Sequence, residues 1–189
     1  GSRDNNYMFI PTTMGWGRPD YAVYDATDPD PARRYKAVLA NLGVAVSPDG
    51  INWNMLRDVP GIESGDESNF SFDEKNHLFL FTVKTGGPYG RSVGLATSKD
   101  FEHWTNHGLI FHADARDQEL AIEHIKARLA DPRLLPAALN DPDVYGVDVY
   151  NMGLFRYEGL YIGMPAMFHS TGRVATGNTV GFHLVQLVA

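Results

Sequence analysis

Apolar and polar residues alternate over short stretches along most of the chain, a pattern typical of β-strands separated by turns. Residues 21–25 and 34–39 form the first pair of such stretches, with a proline-rich loop between them. Two later pairs have the same arrangement, with a short turn between their members: 66–72 with 77–83, and 148–154 with 160–164. The pattern predicts three successive units, each beginning with a strand that is followed by an antiparallel partner.

A repeated turn motif follows the third strand of two of these units. Residues 43–53 read GVAVSPDGINW and residues 94–104 read GLATSKDFEHW, so Gly, Ser, Asp and Trp recur at the same spacing. Ser and Asp side chains bond to turn N–H groups, and a Trp after the turn packs back onto the strands. We therefore expect turn-forming and packing roles, respectively, for two pairs of residues: Asp49 with Asp100, and Trp53 with Trp104.

Short strands in repeated units of about 40–50 residues are typical of β-propeller blades. We therefore expect an all-β fold in which blade a covers residues 7–62, blade b covers 63–112 and blade c covers 141–189. The last stretch, 179–189, has the pattern of a third strand that stops before its turn, so blade c is expected to be truncated. A closed propeller needs more blades, and we expect the remaining ones from further sequence or from a second copy of the chain.

The segment 113–140 departs from the strand pattern and predicts a helical insertion between blades. Within it, residues 117–130 place four apolar side chains on one helical stripe: Leu120, Ile122, Ile125 and Leu129. Charged residues occupy the opposite face. The pair Asp131-Pro132 is expected to end the helix, because a residue before proline is disfavoured in helical conformation.

The composition limits the kinds of partner that the protein is expected to bind. The net charge of −7 comes from 23 acidic and 16 basic residues, and the basic residues form no stripe that could neutralise nucleic-acid phosphates. No apolar run is long enough for a membrane span, and the absence of cysteine excludes disulfides and thiolate chemistry. These features favour a neutral partner such as a sugar. The first residues, Gly1-Ser2, are typical of a cloning remnant and contain no signal-peptide pattern, so location stays open.

Three features together resemble a known enzyme group: the Ser-x-Asp-x-x-x-Trp turns, the phrase Asp-Pro-Asp-Pro-Ala-Arg-Arg-Tyr-Lys at residues 28–36, and acidic residues where inner strands begin. The chain resembles the five-bladed propeller glycoside hydrolases, namely the invertase-like family 32 and the arabinanase- and xylosidase-like family 43. The resemblance covers nearly the whole chain apart from the helical insertion. It implies a five-bladed propeller, of which about three blades are present here, and a carbohydrate substrate.

The resemblance also implies an active site on the propeller axis, where acids from different blades meet at the starts of the inner strands. Glycosidic bond cleavage needs one carboxyl group to protonate the leaving oxygen and another on the opposite face of the sugar. The candidate catalytic acids are Asp148, Asp66, Glu67 and Asp20. Adjacent strand residues project to opposite sides, so we expect only one of Asp66 and Glu67 to face the axis.

Further residues are candidates for binding a sugar. Arg91 could hold a carboxylate or a hydroxyl, and aromatic rings are platforms for sugar rings. The substrate-binding candidates are Arg91, Trp16, Tyr89, Tyr145, Asn69 and Asn151. No cofactor is expected and no metal ligand is assigned. A structural calcium, as in some family 43 propellers, cannot be placed from the sequence.

The chain also departs from the family pattern. It lacks an Arg-Asp-Pro phrase and a Glu-Cys motif, and the Asn-Asp-Pro-Asp run at 140–143 follows the predicted helix instead of opening a chain. An alternative is therefore a carbohydrate-binding or scaffolding propeller without catalysis, in which the same acids only bond to hydroxyls. Fold-level analogy alone does not separate these two functions.

Overall fold

The structure is a computed structural model that describes residues 21–39, 43–56, 64 and 66–189. These residues form mostly β-structure, arranged as three antiparallel sheets. The first sheet contains β1 (Tyr21–Tyr24), β2 (Tyr35–Leu39), β3 (Gly43–Ser47) and β4 (Asn54–Leu56). The second contains β5 (Asn69–Asp73), β6 (Leu78–Gly87), β7 (Gly90–Ser98) and β8 (Trp104–Phe111). The third contains β9 (Gly146–Tyr157), β10 (Leu160–Arg173) and β11 (Thr179–Val185).

Each sheet is a meander, since the order of strands in space follows the order along the chain. The first strands of the three sheets are neighbours, with β1 contacting β5 and β5 contacting β9. Hydrogen bonds join the second and third sheets directly, because the hydroxyls of Ser71 and Thr82 donate to the carbonyls of Leu154 and Met152. The prediction of an all-β fold is therefore confirmed. The predicted limits of blades a and b fall partly on residues outside the described ranges.

The two copies of the turn motif have the same hydrogen bonds. Ser47 accepts from the backbone N–H groups of residues 49 and 50, and Ser98 accepts from those of residues 100 and 101. Asp49 and Asp100 each accept from two further N–H groups of their turns. Both Trp rings donate to a turn carbonyl, and Trp53 is buried. These residues form turns and pack, as the repeat predicted.

The phrase at residues 28–36, on which the resemblance partly rests, contributes Asp28 and Lys36 to an ion-pair cluster between the first two sheets. Lys36 on β2 is almost fully buried, and its ammonium lies 2.7 Å from Asp28 and 3.2 Å from Asp25. The same ammonium lies 5.6 Å and 5.9 Å from the ring centroids of Phe79 and Phe101 in the second sheet. Favourable cation–π contacts and paired charges thus join the loop after β1 to the neighbouring sheet.

One α-helix, α1 (Ala115–Ala130), lies between β8 and β9, within the predicted insertion. It begins with a capping box, in which Asp114 and Asp117 each accept from the backbone N–H of the other. Its buried residues are Ala121 and Ile125. Ile122, expected on the buried stripe, is 42% exposed, because the face that packs on the third sheet is centred on Ala121. Among the described residues no helix has the length and apolar character needed to cross a membrane.

Candidate functional site

Asp148, near the start of β9, is held by Arg91 at the start of β7. One oxygen, Oδ2, accepts from the Nε of Arg91 at 2.7 Å and from its backbone N–H at 3.3 Å. Gly90 precedes Arg91 with φ +105°, and a Cβ there would lie 3.1 Å from the same oxygen. The glycine thus permits both the hairpin conformation and the close approach of the carboxylate. The structure therefore brings together two residues that the sequence placed in the site.

The other oxygen of this carboxylate differs from Oδ2 in its bonding. Oδ1 of Asp148 is buried and has no hydrogen-bond partner among the described residues. Asp148 lines a cavity of about 150 Å³ together with Tyr89, Arg91 and Phe168. A buried carboxylate oxygen without a partner is costly, so such an atom beside a cavity indicates that a ligand or water completes its bonding.

Asp66 and Glu67 lie in the segment before β5, and both reach the same region. Asp66 accepts from the Nζ of Lys84 at 2.7 Å, and Glu67 accepts from the side-chain amide of Asn151 at 3.2 Å. Neither residue lies in a strand, so the alternation of strand side chains, from which we expected only one of the two acids to face the axis, does not apply to them. Glu67 has φ 57°, an unusual value for a residue other than glycine. Such strained conformations are concentrated at functional sites.

Tyr150 on β9 lies between two ion pairs, Asp66 with Lys84 and Asp148 with Arg91. Its ring centroid is 3.9 Å from the ammonium of Lys84 and 4.8 Å from the guanidinium carbon of Arg91. Burial raises the pKa of the Tyr150 hydroxyl, and the negative charges of Glu67 and Asp66 raise it further. The hydroxyl therefore stays protonated and able to donate at neutral pH.

A cluster of three aromatic rings forms the rest of this region. His183 on β11 lies against Tyr150 and Phe168, with ring centroids 4.8 Å and 5.2 Å away. Arg91 covers the Phe168 ring at 4.6 Å. Burial lowers the pKa of His183, and the positive charge of Arg91 lowers it further. The imidazole is therefore neutral at neutral pH and adds no third cation.

Among the remaining candidates for binding a sugar, some lie at the cavity and others lie away from it. Tyr89 forms the turn before Gly90 and lines the cavity, whereas the Tyr145 hydroxyl donates to Asn140 at 2.5 Å. Asn151 bonds to Glu67, and Asn69 begins β5. Two predicted site residues, Asp20 and Trp16, lie outside the described residues. The catalytic and binding roles of all the candidates stay predictions.

Sequence reasoning missed several residues of the region: Lys84, Tyr150, Phe168, Ser170, Gln118 and His183. Tyr150 lies two positions after Asp148, which is a local signal that could have found it. Phe168 pairs directly with Asp148 across the β9–β10 ladder, so only the strand register identifies it. Ser170 and Gln118 also line the cavity, although one lies on β10 and the other on α1.

Neither a metal site nor a family match adds to the description of this region. Within the described ranges, no three His, Asp or Glu side chains come together as ligands for a metal ion. Comparison of the chain with protein-family models finds no matching family, and comparison with curated proteins finds no match.

Proposed function

We propose that the three sheets are successive blades of a five-bladed β-propeller, and that the protein is a glycoside hydrolase acting on an oligo- or polysaccharide. Two features support the propeller: each sheet is an antiparallel meander, and the first strands of successive sheets are neighbours. The remaining blades would come from further sequence or from a second copy. The predicted unit boundaries, 7–62, 63–112 and 141–189, belong to the same proposal.

The observation that carries the proposed activity is the Asp148 carboxylate, with one oxygen bound by Arg91 and the other buried without a described partner beside a cavity. Glu67 and Asp66 approach the same region from the neighbouring sheet. Hydrolysis of a glycosidic bond breaks the bond between the anomeric carbon and the leaving oxygen, which takes a proton, and water supplies the new hydroxyl. One carboxyl group of the set would donate that proton, and another would act as nucleophile or base.

Replacement of Asp148 by Asn tests this activity. Product analysis on a panel of aryl glycosides and oligosaccharides should detect hydrolysis by the full chain, and Asp148→Asn should lower the rate by about 100-fold or more. Asp143→Asn is the matched control, since Asp143 is exposed in the turn before β9. Equal rates for wild type and Asp148→Asn would contradict the proposal. A large fall in melting temperature for Asp148→Asn would assign the residue a structural role.

Binding of a carbohydrate without hydrolysis is the second candidate function. It is favoured by the ion pairs, because Asp148 and Asp66 are each already paired with a cation, an arrangement that suits the orientation of hydroxyl groups. This function predicts a sugar ligand on a glycan array and no product after prolonged incubation. Detection of released sugar that depends on Asp148 would exclude it.

A further inference from the structure

A second unpartnered oxygen lies on the same face of the third sheet as Asp148. Ser170 on β10 is 8% exposed, and its hydroxyl has no hydrogen-bond partner among the described residues. Ser170 pairs with Gly146, and Phe168 pairs with Asp148. Because side chains two positions apart on a strand project to the same face, Ser170 and Asp148 are diagonal neighbours there. Both residues line the cavity.

Gly146, the pair partner of Ser170, also lines the cavity and presents no side chain there. A Cβ at Gly146 would lie 3.3 Å from Oε1 of Gln118, so even a methyl group would enter the space between β9 and α1. Gln118 is fixed by two hydrogen bonds to the backbone of Val147, at 2.7 Å and 3.1 Å. Helix α1 therefore supplies a rigid wall of the cavity, which links the inserted segment to the site.

The two oxygens define the chemistry of the group that fits between them. A carboxylate such as that of Asp148 can only accept hydrogen bonds, whereas a serine hydroxyl can both donate and accept. A hydroxyl group meets both demands, since it can donate to Asp148 and accept from Ser170. A carboxylate or phosphate could not donate to Asp148 and would be repelled by it. At about 150 Å³ the cavity is also of the size that admits a single six-membered ring.

We propose that Asp148 and Ser170, with Gly146 and Gln118 as the walls, form a subsite for one hydroxyl-bearing ring of a neutral sugar. Ser170 is a specificity-determining residue in this subsite, and α1 is part of the binding site. The inference rests on the proposed carbohydrate site and is independent of whether the bound sugar is hydrolysed.

Calorimetric titration of the full chain tests the subsite, with the neutral methyl glycosides of glucose, galactose, mannose and xylose as probes. Methyl glucuronide and methyl glucosaminide are the anionic and cationic comparisons. We expect at least one neutral probe to bind, and Ser170→Ala to weaken its binding by about threefold to tenfold, the usual effect of losing one hydrogen bond. Ser170→Ala should not lower the free energy of unfolding, because the hydroxyl it removes has no described partner.

Gly146→Ala is a second variant, expected to weaken binding by filling the cavity. Gly153→Ala on the same strand is its control, because a Cβ there meets nothing within 4 Å. Unchanged affinity in Ser170→Ala, tighter binding of the charged sugars than of the neutral ones, or no binding of any neutral probe would each overturn the inference. Sugar binding without turnover would instead contradict only hydrolysis, and turnover that Ser170→Ala leaves unchanged would contradict only the subsite.

Discussion

At the scale of single residues, Lys36 carries the largest predicted effect on stability. Its ammonium donates hydrogen bonds to Asp28 and to the carbonyl of Arg33 and lies 3.2 Å from Asp25. The Lys36 side chain is almost fully buried. Lys36→Met would leave Asp25 without its cation and Asp28 with only the more distant Arg33, 3.6 Å away, and the free energy of unfolding should fall by about 3–5 kcal/mol. Urea denaturation measures this change. The control is Lys75→Met at an exposed position, which should change the free energy of unfolding by less than about 0.5 kcal/mol. An equal loss of stability in both variants would contradict the prediction.

The residue scale also shows what the sequence could predict and what it could not. Asp148 was accessible to prediction because it lies near the start of a strand with clear alternation, and the turn roles of Asp49 and Asp100 follow from local spacing. Ser170 was not accessible, because its position beside Asp148 depends on the register between β9 and β10. Glu67 was misplaced, since its left-handed backbone conformation takes it out of the strand pattern.

At the scale of elements, α1 takes the place of a neighbouring strand along the edge of β9. Gln118 bonds to both backbone groups of the buried Val147, as a paired strand would. Gln118→Ala would leave these groups without partners, and stability should fall by about 1–3 kcal/mol. Chemical denaturation measures this loss, with Glu123→Ala on the exposed face of the same helix as the control. Equal stability of the two variants would show that the hydrogen bonds between Gln118 and Val147 do not stabilise the fold.

The elements themselves were mostly predictable, because alternation and turn residues act over a few positions. Residues 21–25, 34–39 and 148–154 were predicted as strands, and β1, β2 and β9 lie there. The helix was predicted from its periodicity, but its buried face was misjudged at Ile122 because a small residue, Ala121, makes the closest contact. The contact between α1 and β9 was not predictable, since it joins residues distant along the chain.

At the scale of the whole molecule, the junctions between sheets use ionised acids and should weaken in acid. Burial raises the pKa of Asp73, but hydrogen bonds from Tyr161 and Asn76 and the charge of Arg156 lower it overall. Because Tyr161 and Arg156 belong to the third sheet, this acid joins the second sheet to the third. A pKa lowered by folding gives stability above the usual value of about 3.9 and loses it as pH falls below that value.

The measurement compares urea denaturation at pH 5 and pH 3. Wild type should lose stability over this interval, and Asp73→Asn should lose less, because it removes one acid that takes up a proton on unfolding. The pKa values of Asp25 and Asp28 are also lowered overall, since hydrogen bonds and the nearby ammonium outweigh burial. Acid should therefore loosen both sheet junctions. Equal losses in wild type and Asp73→Asn would show that folding does not lower the pKa of Asp73.

A second pH window belongs to His169, which joins α1 to the third sheet. Its Nδ1 lies 3.0 Å from the carbonyl of Met167, its Nε2 lies 3.2 Å from His124 on α1, and its ring stacks on Phe182. Burial lowers the pKa of His169, although its bond to the Met167 carbonyl opposes this effect. The unfolded chain therefore takes up a proton near the usual pKa of about 6.5 while the folded chain does not.

Stability should fall between pH 7.5 and pH 5.5 by at most about 1.4 kcal/mol per pH unit from this one proton. His169→Gln should flatten the dependence, as measured by urea denaturation across the interval. His103→Asn is the control, because the hydrogen bond that His103 donates to the Asp100 carboxylate raises the pKa of His103, a shift of opposite sign. A slope that His169→Gln left unchanged would mean that another group takes up the proton. A flattened slope would show that the folded chain, in which His169 joins α1 to the third sheet, is most stable when His169 is neutral.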